Sequence, residues 1–169
     1  SIANALQRKG VSLSLAGAHD ASVIRGCMNF YRSASCGKIL SLITEAGTCN
    51  PVMILDELDK VDLSRGSGIE GAVLQLLDPQ QNFRFTDDYF DFPFDLSKVM
   101  FIATANSLDK VSYPLINRME VIELSGYTDQ EKLHIVKKHL LTKLFKEAKL
   151  TTVQLKISDN IIKHLIKYY

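Results

Sequence analysis

The chain has 169 residues, 46% of them hydrophobic, and its 20 Lys plus Arg against 19 Asp plus Glu leave a net charge of +1. Such a composition excludes a disordered chain and gives no electrostatic argument for nucleic acid or a membrane surface as the main partner. No apolar run is long enough to span a bilayer, and the length suits one domain, or one domain and part of another.

Ser1 to Lys9 reads as the last turns of a helix, and Val11, Leu13 and Leu15 alternate with serines as a strand would. Ala16 to Gly26 predicts a turn and then a short helix that Asp20 could cap. Cys27 to Gly37 has no period and reads as a loop. Lys38 to Ala46 predicts a helix with Ile39, Leu42 and Ile43 inward, ended by Gly47. The three cysteines, Cys27, Cys36 and Cys49, fit no zinc spacing and are expected as free thiols.

Val52 to Leu55 is a short apolar run after Pro51 and before Asp56 and Glu57, the pattern of a strand buried on both faces. In an open parallel sheet, ligands bind beyond the carboxyl ends of the strands. A carboxylate there could hold Mg²⁺ through its water shell, and a second could polarise a water against a phosphate. The same pattern arises when a buried strand ends in a solvated turn.

Val61 to Gly68 is a polar loop. Ile69 to Leu77 predicts a helix with Ile69, Ala72, Val73, Leu76 and Leu77 on one side, stopped by Asp78 and Pro79. Asn82 to Ser97 alternates aromatic and polar residues as a hairpin does. Val99 to Ala105 predicts a second buried strand, closed by Asn106. A short helical or turn segment follows around Pro114, and Val121 to Leu124 reads as a further strand.

Beyond Gly126, Thr128 and Glu131 form a capping box that opens a helix with Leu133, Val136, Leu140, Leu141 and Leu144 on one face. His134 and His139, five apart, lie off a common face and read as surface residues. Val153 to Ile157 is a short strand candidate. Ser158 then caps a last helix with Ile161, Ile162, Leu165 and Ile166 inward. Strand and helix alternate through Leu124 and helix dominates afterwards. This predicts an α/β sheet domain over 1–126 and the start of a helical one over 127–169.

Two buried strands end in polar residues, at Asp56-Glu57 and at Asn106, and in a parallel sheet both ends face one crevice. Asn106 could hold a nucleophilic water or touch a phosphate. A turn-forming Asn after a strand is the plainer reading. Arg118, just before a strand candidate, is either a solvated surface charge or a finger reaching a neighbour's nucleotide.

The stretches NPVMILDELDK, LQLLDPQQNFRFTDDYFDFPFDLSKVMFIATANSLDK and INRMEVIELSGYTDQEKLHIVKKHLL, with SIANALQRK and HDASVIRG, resemble the ATPase module of Lon proteases, ATP-dependent serine proteases of the AAA+ class. The resemblance covers nearly the whole chain. It implies a three-layer α/β sandwich with a mainly parallel sheet, followed by the start of a small helical subdomain. It implies ATP and Mg²⁺ as cofactors, with Asp56 and Glu57 as the Walker B acids, Asp56 holding Mg²⁺ through water. Asn106 would be sensor 1, and Arg118 the finger acting in trans. The resemblance also implies a hexameric ring that unfolds protein substrates and threads them into a protease chamber. The compartment would be a bacterial cytoplasm, a mitochondrial matrix or a peroxisome.

Where the family has its first substrate-gripping pore loop, this chain has Cys27 to Gly37. Tyr31 takes the aromatic position. Arg32 stands where the family has an aliphatic residue, and Ser33 and Cys36 replace a Gly and a Pro. Leu63 to Gly66 would lie near a second pore loop. The family's phosphate-binding glycine loop would precede Ser1, and its second sensor and Ser–Lys dyad would follow Tyr169. The chain is therefore expected to be cut at both ends. By itself it should bind nucleotide poorly, because the missing loop supplies the N–H groups and Lys that hold phosphates. Two other readings stand beside this one. A non-hydrolysing scaffold would keep the AAA+ shape as an interaction module. A clamp-loader-like ATPase on DNA is weakened by the neutral charge balance.

Overall fold

The computed structural model describes residues 2–32, 34–61, 68–149 and 157–168. The chain divides into two compact units, Ser1–Val121 and Ile122–Tyr169.

The first unit opens with helix α1 (Ile2–Ala5) and strand β1 (Gly10–Ser14), then α2 (Ser22–Arg25) and α3 (Lys38–Ala46). Strand β2 (Val52–Asp56) runs into one 3₁₀ turn, Leu58–Lys60. Helices α4 (Ile69–Leu77) and α5 (Pro79–Asn82), the hairpin β3 (Phe85–Asp87) and β4 (Phe92–Phe94), strand β5 (Met100–Ala103) and helix α6 (Tyr113–Ile116) complete it. The order β1-β2-β5 is parallel throughout, with Leu13 opposite Leu55 and Leu55 opposite Ala103. This is the expected α/β architecture.

The central strand explains the arrangement. Val52, Met53 and Leu55 of β2 are fully buried, as a strand covered on both faces must be. On the edge strand β1, by contrast, Leu13 is buried while its serines face water. Ile39 and Leu40 of α3 join Ile69, Ala72, Val73 and Leu76 of α4 in the same apolar cluster, which also takes in Phe85. Leu42 and Ile43, expected inward, are only partly buried against that cluster, and Leu40 and Ala46 take the deeper places.

Asp78 and Pro79 end α4 as expected and at once start α5, with Asp78 accepting from the Gln80 N–H and Pro79 in the first turn. The expected hairpin is present, with Phe85 opposite Phe94 and Asp87 opposite Phe92. The expected strand at Val121 to Leu124 is not formed. Its V-I-E-L alternation meets no sheet edge among the described residues, and Ile122 and Leu124 are exposed.

In the second unit, Thr128 and Glu131 form the expected capping box at the start of α7 (Asp129–Ile135). A π turn, Val136–Leu140, joins α7 to α8 (Leu141–Glu147). Helix α9 (Asp159–Tyr168) packs against α7, and Lys137 pairs with Asp159 at 2.6 Å. The expected inward face is only partly right. Leu140, Leu144, Ile161 and Leu165 are exposed, whereas Ile162 is buried. Most of the strand candidate Val153 to Ile157, the second-loop segment Leu63 to Gly66, and Ser33 lie outside the described residues; Ile157 itself is not in a strand. No described helix is long and apolar enough to cross a membrane.

Candidate active site

The site starts from the pairing of β2 with β5. Parallel register carries Leu55 against Ala103, so the next residues, Asp56 and Thr104, leave the sheet side by side. Thr104 then ties the two strand ends together. Its N–H donates to Leu55 O at 3.0 Å, and its carbonyl accepts from the Leu58 N–H at 2.9 Å. Its hydroxyl donates to Asp56 Oδ1 at 3.1 Å and accepts from the Glu57 N–H at 3.1 Å. The Leu15 N–H donates to Asp56 O at 2.9 Å, which fixes the acid's backbone from the other flanking strand.

Glu57 sits in the left-handed region, with φ 61° and ψ 47°, and opens the 3₁₀ turn. A non-glycine residue there is uncommon and persists where its surroundings hold it, often at functional sites. Here Thr104 holds the Glu57 N–H and the next residue's N–H. The turn moves the Glu57 side chain off the strand line, where it stays more than a third exposed and ion-paired with Lys60. The hydrogen bond from Lys60 to Glu57 raises the Lys60 pKa, so the cation is secure at neutral pH.

Asp56 Oδ1 is occupied by the Thr104 hydroxyl, and Oδ2 has no partner among the described residues. A carboxylate with one oxygen fixed and the other open suits a hard cation held directly or through water. Asn106 follows two residues after Thr104 at the same edge. It is exposed, and its amide has no partner among the described residues. The sheet thus brings Asp56, Glu57 and Asn106 to one edge. Thr104 was not singled out from the sequence. The signal was its place: a hydroxyl residue ending the strand that pairs beside the acid.

Arg118 is not joined to this group by any hydrogen bond or ion pair among the described residues. Its guanidinium pairs with Asp78 Oδ2 at 3.3 Å and donates to Pro114 O at 3.2 Å, between the ends of α4 and α6. The Gln80 N–H, then the Gln81 amide and Arg118 itself, hold the Asp78 carboxyl below its ordinary range. The pair is therefore charged at neutral pH, and Arg118 is still about a third exposed.

Tyr31 and Arg32 lie on the loop between α2 and α3. Tyr31 is 60% exposed and its ring stacks at a tilt on the more exposed Phe30, centroids 4.7 Å apart. Arg32 is exposed as well. Neither Phe30 nor Tyr31 is packed into the core of its own unit.

The model of the ATPase family associated with various cellular activities (AAA) matches residues 1–127. The whole chain is 50% identical to the Lon protease of Clostridium beijerinckii and 46% identical to that of Mycoplasma genitalium, and covers 21% of each. It is 44% identical, again over its whole length, to a mitochondrial Lon protease homolog of Debaryomyces hansenii, of which it covers 16%. The chain thus spans about a fifth of the length of the curated relatives it matches.

Proposed function

Because the chain belongs to the AAA family of ATPases, we propose that it is part of the ATPase module of a Lon-type protease, which couples ATP hydrolysis to the unfolding, threading and degradation of protein substrates. The observation that carries this reading is the Thr104 knot, which holds Asp56 and Glu57 at the carboxyl end of a buried parallel strand.

Each residue has a distinct task. Asp56, through the oxygen that Thr104 leaves open, would hold Mg²⁺ by way of water. Mg²⁺, when bound, neutralises charge building on the phosphates. Glu57 orients the attacking water and accepts its proton. It must first release Lys60, and an exposed pair of this kind separates at little cost. Asn106 offers a free amide to the same water. Arg118 serves the nucleotide of the next subunit in a homohexameric ring, since in its own chain it is tied to Asp78, away from the acids. Tyr31, with Arg32 beside it, grips the moving polypeptide. Protein substrates, rather than DNA, are the partners that a net charge of +1 suits. Bacterial and mitochondrial relatives make an interior aqueous compartment the proposed site of action.

The full-length protein provides the test. Degradation of unfolded casein should require ATP and Mg²⁺ and stop when ATP is omitted. Equal degradation without nucleotide would overturn the reading.

A further inference from the structure

The loop that carries Tyr31 has two legs, and both are held by one turn of the β3–β4 hairpin. On the outgoing leg, Asp87 Oδ2 accepts the Gly37 N–H at 2.7 Å. On the incoming leg, Arg25 O accepts the Asp88 N–H at 2.7 Å. Asp87 is fully buried, and its other oxygen accepts the Tyr89 N–H at 3.0 Å, which keeps the carboxyl from turning away. Between these anchors the legs touch. The Cys27 N–H donates to Ser35 O at 3.0 Å. A Cβ on Gly37 would lie 2.0 Å from Ile24 O, and Gly26 stands at φ +80° with its own Cβ position 2.7 Å from Gly37 N, so only glycine fits either place.

Gly37 is also the N-cap of α3, and it supplies no side chain to the orphan donors of that helix. The acceptor at the start of α3 is borrowed from the hairpin, 50 residues away in sequence. A buried charged acceptor with two backbone donors is costly to lose. Residues 28–32 and 34, by contrast, are bound only by short local turns, Tyr31 N–H to Met28 O and Ala34 N–H to Tyr31 O. The loop's tip is thus weakly held and its base firmly held.

We propose that Asp87 is a positioning residue for substrate engagement: with the Asp88 N–H, its carboxyl clamps both legs of the Tyr31 loop and fixes where the exposed aromatic pair stands. The inference rests on the reading of Tyr31 as the substrate-gripping residue.

The full-length protein carrying Asp87→Asn supplies the test. Asn keeps one acceptor oxygen and turns an N–H₂ toward one of the two donors. Hydrogen exchange should rise about 10- to 100-fold in peptides spanning 26–38 and stay unchanged in those spanning 52–60. Casein degradation at limiting substrate should fall about tenfold, while ATP hydrolysis without casein changes less than about twofold. In a Tyr31→Ala background, Asp87→Asn should slow degradation no further. Asp87→Glu, which keeps both acceptors, should recover most of the lost rate and serves as the readout if Asp87→Asn fails to fold. Unchanged exchange over 26–38, or exchange raised equally throughout the unit, would overturn the clamp. If exchange rises locally but Tyr31→Ala degrades casein normally, the clamp stands and the gripping role of Tyr31 fails.

Discussion

Thr104 shows what a single hydroxyl contributes to this site. It bonds an acid 48 residues away through one lone donor and the next residue's N–H through its acceptor. Without it, Asp56 could rotate and the left-handed Glu57 would lose one of the contacts that hold it. Thr104→Ala in the full-length protein should lower ATP turnover by about one to two orders of magnitude, because small misplacements near a reacting group are costly. Stability should change by only about 0.5–1.5 kcal/mol, the usual net worth of a hydrogen bond. Thr104→Ser, which keeps the hydroxyl, should restore most of the rate. Steady-state turnover and thermal unfolding check both statements, and full turnover in Thr104→Ala would remove the knot from the mechanism. Asp56 and Glu57 were legible in sequence because an apolar run announces the strand that ends in them. Thr104, the Asp78 partner of Arg118 and the Asp87 anchor of Gly37 were not. Each acts across 40 or more residues, through pairings that no local pattern contains.

At the scale of elements, the segments with a clear period or cap were read best. Helices α3 and α4 have the bounds that their spacing and their flanking glycine or Asp-Pro imply. The helical unit shows where periodicity fails. Its expected face runs through Leu140 and Leu144, but the half-buried residues are Leu141 and Phe145. The π turn at 136–140 accounts for that one-residue shift, since a wide turn takes up an extra residue and rotates everything after it. The strand expected at Val121 had the right alternation and lacked a neighbour. The capping box offers a quantitative check. Thr128→Ala should destabilise α7 by about 1 kcal/mol. Hydrogen exchange over 129–135 in the full-length protein would then rise about fivefold, by the same conversion of free energy to an opening constant. The Thr128 N–H lowers the Glu131 pKa below its ordinary value, so this stabilisation is present above the ordinary Glu pKa and is lost as pH falls through the lowered one. Exchange that is unaltered by Thr128→Ala at neutral pH would show that packing, not the cap, starts the helix.

At the scale of the whole molecule, the account makes one central claim: each ATP is hydrolysed by residues of two subunits. Asp56, Glu57 and Asn106 lie at one sheet edge, whereas Arg118 is bound to Asp78 and Pro114 and makes no bond to them. A finger supplied in trans is worth about three to five orders of magnitude in turnover. The direct measurement is ATP turnover by full-length rings mixed from Glu57→Gln and Arg118→Ala subunits. Each parent alone should bind ATP and turn it over at a small fraction of the normal rate. In mixed rings some sites pair an intact Glu57 with a neighbour's intact Arg118, and turnover should partly return. No recovery in rings shown to be mixed would contradict the claim and leave Arg118 as a residue of its own subunit.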